Sequence, residues 1–208
     1  MSTLRILSAA AFASAIAITT VSAQQPQTQR LRGTIEKVDG NTLQIKSSTG
    51  APVTLTLAAN AVVVGVLKAT VADIKEGSYI GSGAMPQPDG TQKAVEVHIF
   101  AESQRGTGDG HRGNWDGSPY GAPIGTMTNG AVGQAVSGVD GPVITVKYKD
   151  GEKKIVVTPN VPIVRYEVGD RSELKAGAAI SVVAATKNPD GTFSTARINV
   201  GRNGIVPN

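Results

Sequence analysis

RGTIEKVDGNTLQIK (residues 32–46) comes back about a hundred residues later as GQAVSGVDGPVITVK (residues 133–147). Val38-Asp39-Gly40 answers Val139-Asp140-Gly141, and Lys46 answers Lys147. Further on, Gly77 answers Gly177 and Asp89-Gly90 answers Asp190-Gly191. A self-match at one long, nearly constant offset marks a duplicated domain rather than a short-period solenoid. Inside each copy the apolar residues alternate. In Thr42-Leu43-Gln44-Ile45-Lys46 and in Val143-Ile144-Thr145-Val146-Lys147 they fall on every second position, as in Val53-Thr54-Leu55-Thr56-Leu57. Period two puts Leu, Ile and Val on one face of a strand and Thr, Gln and Lys on the other.

The punctuation agrees. Asp39-Gly40, Asp89-Gly90, Asp150-Gly151 and Asp190-Gly191 supply residues that tolerate the positive φ of tight hairpins. Ala72-Asp73-Ile74-Lys75-Glu76-Gly77 and Ser172-Glu173-Leu174-Lys175-Ala176-Gly177 each fit one helical turn ended by Gly, with Ile74 or Leu174 plugging the core. Five or six short strands and one turn in about 70 residues cannot cover a flat sheet, so closure into a barrel is expected. The fold class is therefore all-β: two tandem small OB-like β-barrels.

The domain reading is a signal peptide at 1–23, a disordered N-terminus at 24–30, and barrels at 31–100 and 131–201. A Gly-rich linker at 101–130 joins the barrels, and a tail covers 202–208. The signal has Arg5, then the apolar Ile6–Val21, then the cleavage pattern Val21-Ser22-Ala23. Export to the periplasm or outside is expected, with no transmembrane anchor after cleavage, because the other apolar runs are strand-sized. The chain has no Cys, so each barrel stands without a staple, and thiol catalysis and thiolate metal sites are excluded. Lys plus Arg total 20 and Asp plus Glu 16, a net charge of +4. The basic residues are scattered, and Lys147–Lys154 also contains Asp150 and Glu152. This reads as a solvated face rather than a nucleic-acid stripe.

The ordered set of motifs resembles a bacterial family known as domain of unknown function 5666. It runs Gly-x-Ile/Val, Val-Asp-Gly, Leu/Ile-x-Val/Ile-Lys, Asp/Glu-Ile/Leu-Lys-x-Gly and Asp-Gly-x-x-x-Ala, twice over. The resemblance covers both repeats. It implies exported OB-like barrels, often in tandem, and brings no catalytic residues with it.

Motifs for chemistry are sparse. Gly108-Asp109-Gly110-His111-Arg112-Gly113 matches Gly-x-Gly-x-x-Gly literally, but Asn114-Trp115-Asp116-Gly117-Ser118-Pro119 cannot open the helix that a dinucleotide site needs. A nucleophile needs a positioned base, and His98 and His111 are the only histidines. The chain reads as a non-enzymatic binding or interaction protein of the cell envelope, its partner another envelope protein, with no nucleic acid and no resident cofactor. The first alternative is a periplasmic Cu or Zn protein using Glu96, His98, His111, Asp116 and Met127. Glu96 and His98 are two apart and share a strand face, and imidazole, carboxylate and thioether suit those ions. The second alternative is an enzyme with its site in the interdomain cleft. Trp115 lies in the Gly-rich stretch, and docking of its ring on a barrel is expected.

Overall fold

A computed structural model describes residues 28–115 and 125–207. It is all-β. The strands are β1 (Thr28–Asp39), β2 (Thr42–Ser47), β3 (Pro52–Lys68), β4 (Tyr79–Pro86), β5 (Gln92–Ile99) and β6 (Gly110–Trp115). They continue as β7 (Gly125–Val136), β8 (Val143–Tyr148), β9 (Gly151–Val156), β10 (Ile163–Val168), β11 (Ala179–Lys187) and β12 (Phe193–Gly201). The alternation is obeyed locally: Leu43 and Ile45 on β2, and Ile144 and Val146 on β8, are buried while their neighbours are not. The single helical turns exist as 3₁₀ turns, Val71–Asp73 and Arg171–Glu173. Each is closed by a capping box, Thr70 with Asp73 and Asp170 with Glu173. Gly77 and Gly177 lie just beyond them at positive φ. Among the described residues no helix is long and apolar enough to cross a membrane.

The repeats do not close on themselves. β1 pairs β2 and β2 pairs β3, but the ring is completed by β11 and β12 from the other repeat. β12 runs parallel to β3, and β11 antiparallel to β1. The second ring is the reciprocal: β5, β4, β7, β8 and β9, closed by a short parallel pairing of Gln92 and Lys93 with Ile155 and Val156. Contiguous barrels at 31–100 and 131–201 are thus corrected to two five-stranded barrels, each made from half of one repeat and half of the other. The cores share the same division. Leu174 packs in one cluster with Leu31, Ile35, Leu43 and Leu55. Ile74 packs in another with Val132, Ile144, Val146 and Ile155. Main-chain bonds fasten the exchange, with Gly177 N–H donating to the Ile35 carbonyl and Gly77 N–H to the Val132 carbonyl, both at 2.8 Å.

The cause lies in β3. It does not end after pairing with β2 but continues through Ala61-Val62-Val63-Val64-Gly65-Val66, carrying the chain out of the first barrel. There its second half lies antiparallel to β10, with Val66 opposite Tyr166, Lys68 opposite Val164 and Val64 opposite Val168. This register is symmetric about Val66 and Tyr166, so an approximate twofold axis relating the repeats passes between them. Parallel pairings flank it on both sides, Val97 with Ile163 and Ile198 with Val63. The result is a central ribbon, β5-β10-β3-β12, shared by both barrels.

Two terminal assignments also change. β1 begins at Thr28, inside the stretch expected to be disordered. The expected linker 101–130 contains β6 and the first half of β7. In the structure the counterpart of Gly33 is Gly130, three residues before the stretch that the sequence match sets against it. A Cβ on Gly33 would run into the Lys46 carbonyl, and one on Gly130 into the carbonyl of Lys147, the repeat partner of Lys46. The signal-peptide residues 1–23 lie outside the described residues.

Candidate functional site

A cavity of about 310 Å³ opens between the barrels against the central ribbon. Each strand contributes through its own alternation. On β5, Glu96 and His98 face it, with Phe100 just beyond. On β12, Arg197 and Asn199 face it two residues apart. These are the repeat counterparts of Glu96 and His98, since Val97 and Ile198 hold equivalent places beside β10 and β3. Tyr166, at the pseudo-twofold axis, forms part of the wall.

The apolar side is aromatic. Tyr166 stacks on His98 with ring centroids 5.3 Å apart and meets Phe100 edge-on at 5.5 Å. Phe100 in turn meets Tyr79 at 5.6 Å. Trp115, at the end of β6, lays its six-membered ring over Gly83 of β4, where any side chain would collide with it. Met127 of β7 also lines the cavity. The expected docking of Trp115 therefore happens, onto a strand that carries only hydrogen at the contact.

The polar side is deeply set. Glu96 is 2% exposed and Asn199 3%. His98 Nε2 lies 3.4 Å from Glu96 Oε1, an ion pair whenever the imidazole is protonated but longer than a good hydrogen bond. Asn199 Nδ2 donates to Ser181 Oγ at 3.2 Å, and Asn129 Nδ2 donates to the Thr107 carbonyl at 3.1 Å. The carbonyl oxygens of both amides are buried without a partner among the described residues. Arg197 is half-buried, and the loss of hydration pulls its guanidinium below its ordinary value; the Tyr166 phenol works in the other direction. No acidic side chain pairs with Arg197 among the described residues.

The structure divides the five sequence-derived candidates. Glu96, His98 and Met127 converge on the cavity. His111 does not. It stands across the β6–β7 ladder from Thr128, whereas Met127 stands across from Arg112, so the two point to opposite faces. Its Nδ1 is 2.9 Å from Thr128 Oγ1, and its ring stacks on Tyr148 at 6.3 Å. Burial, with help from Lys153, pulls its pKa down. Asp116 lies outside the described residues. Asp109 is engaged by the fold: one oxygen accepts from the Lys149 N–H at 2.8 Å, and the other from the Tyr79 hydroxyl at 3.2 Å. The Gly108–Gly113 stretch enters strand β6 rather than a helix. Among the described residues no three His, Asp or Glu side chains are grouped so as to hold an ion.

Sequence reasoning missed Arg197, Asn199 and Tyr166. The repeat offset was the available signal, since it maps Glu96 and His98 onto the first two. It has force only once the strand exchange brings β5 and β12 to the same cleft. Compared with protein-family models, curated protein sequences and solved structures, this chain matches none.

Proposed function

We propose that this chain is an exported, non-catalytic binding protein of the bacterial cell envelope, and that its ligand sits in the cleft between the exchanged barrels. The observation that carries this reading is the convergence of scarce aromatics. The chain is only 4% aromatic, yet its single Trp, Phe100 and Tyr166 wall one cavity that also holds Glu96, His98, Arg197 and Asn199. Concave sites with mostly apolar walls and a few set polar groups are the usual form of small-molecule sites. The two fully buried serine hydroxyls of β4 and β11, Ser82 and Ser181, are engaged by the Glu96 carbonyl and the Asn199 amide. That favours binding over nucleophilic chemistry.

The test uses Trp115 as the sole indole reporter. Its emission should be blue-shifted and protected from acrylamide, and a screen of small amphipathic molecules should return hits that change it. Those hits should lose their effect in Tyr166→Ala. An indole quenched as freely as tryptophan in solution would refute the docked cleft.

A second reading has one observation in its favour: Glu96, His98 and Met127 share the cavity, a donor set suited to Zn or cuprous ion. A Trp115 response to either ion at micromolar concentration, abolished in His98→Ala and kept in His111→Ala, would select it. No response would leave the organic ligand.

A further inference from the structure

We propose, resting on the binding reading above, that the ligand is a small organic anion, a flat apolar body bearing a carboxylate whose charge is held by Arg197. The argument begins with charge. Glu96 is already engaged by its neighbours, with His98 3.4 Å away. Arg197 has no acidic partner among the described residues, although it is half-buried beside Tyr166. A cation drawn out of water without a counter-ion is costly, and an anion in the cleft would repay that cost. Arg30 adds a second positive charge to the lining. Guanidinium binds carboxylate through two parallel N–H donors, which fixes orientation as well as charge.

The body of the ligand is set by the aromatic lining. Trp115, Phe100, Tyr166 and Met127 offer flat and polarisable surfaces. At about 310 Å³, the cavity is at the small end for organic ligands, enough for a fused ring with its acid group but not for a polymer segment. Trp115 rests on Gly83, so a ring entering the cleft meets an indole held in place rather than one free to turn aside.

The experiment compares three probes of one shape: naphthalene-2-carboxylate, its neutral carboxamide, and the cationic 2-naphthylmethylamine. Binding is read by Trp115 emission and by calorimetry on the full chain. The carboxylate should bind tightest and lose affinity as salt is raised. Arg197→Gln should weaken it by about ten- to a hundredfold, the scale of a charge-assisted bond, while leaving the carboxamide unchanged. Arg197→Lys should recover part of the loss, and matching melting curves will show that the variants are folded. Equal affinity for carboxylate and carboxamide, or undiminished carboxylate binding by Arg197→Gln, would overturn the anion inference and leave the cleft standing as a binding site. Failure of all three probes to bind would remove both.

Discussion

The strand exchange can be tested by a single covalent link, because the chain has no Cys to compete. Thr34 on β1 is exposed and lies opposite Ala179 on β11. Antiparallel partners sit at Cα separations of about 4.5–5.5 Å, inside the range that a disulfide spans without backbone movement. Thr34→Cys with Ala179→Cys should therefore oxidise within one molecule. The loop so closed is about 145 residues long, for which the chain-entropy relation gives about 5 kcal/mol. Strain and residual structure in the unfolded chain reduce this, so roughly 2–4 kcal/mol is expected, a rise in melting temperature of about 5–15 °C at this size. The link is read as a mobility shift on non-reducing gels at low protein concentration, reversed by dithiothreitol and placed by peptide mass mapping. If each repeat instead closed on itself, position 34 would face position 79, which the offset makes the counterpart of 179. Thr34→Cys with Tyr79→Cys should give no intramolecular link. A 34–79 bridge, with 34–179 remaining reduced, would refute the exchanged topology.

Four further outcomes are expected. Leu174→Ala and Ile74→Ala should each cost about 2–5 kcal/mol in denaturant unfolding, because both side chains are buried in cores that the other repeat supplies. Arg202 donates to Glu173 at 2.7 and 2.8 Å and to Glu167 at 2.7 Å, so Arg202→Ala should cost about 1–3 kcal/mol. Arg202 holds the Glu173 carboxyl below its ordinary range, so this stability is present above that range and lost as the pH falls through it, and the acid limb of a pH–melting curve should flatten in Arg202→Ala. The Tyr79 hydroxyl is raised from 10 to about 12 by burial and by Asp109, so its contribution is intact below pH 10 and lost as the pH climbs toward 12; Tyr79→Phe should remove that alkaline drop. N-terminal sequencing of the protein recovered from the envelope should begin at Gln24, and a chain still starting near Met1 would refute the export reading.

The local grammar of the chain was legible because each strand announces itself. Leu43 and Ile45, and their counterparts Ile144 and Val146, alternate cleanly, and Ile74 and Leu174 are core plugs as their Gly-ended turns imply. What pairs with what was not legible, because the repeats are alike. A core lined by β1–β3 accepts β11 and β12 as readily as it would accept β4 and β5, and no single residue states the choice. The choice is made by β3 running on past Leu57, whereas Pro159 and Pro162 interrupt the matching stretch between β9 and β10. The start of β7 was hidden for a different reason. Thr126, Thr128 and Asn129 look like loop residues but are buried. Thr126 Oγ1 donates to Gln92 Oε1 at 2.8 Å, and Thr128 sits beneath His111. Burial satisfied by side-chain hydrogen bonds leaves no apolar period to read. For the site, residue type and strand spacing grouped Glu96, His98 and Met127, which line one cavity, and placed His111 with them only because nearness in sequence cannot tell one face of a hairpin from the other.

One repeat holds half of each barrel, so two separate copies could in principle assemble both, with identical residues meeting across the axis. A pair of that kind would present the same side chains from both directions and could make only a symmetric pocket. Joining the copies into one chain removes that restraint and makes the assembly independent of concentration. It lets β5 carry Glu96 and His98 while β12 carries Arg197 and Asn199 at the equivalent places. Covalent fusion thus gives the axis a head and a tail, so that a molecule with two unlike ends has only one way to lie across it.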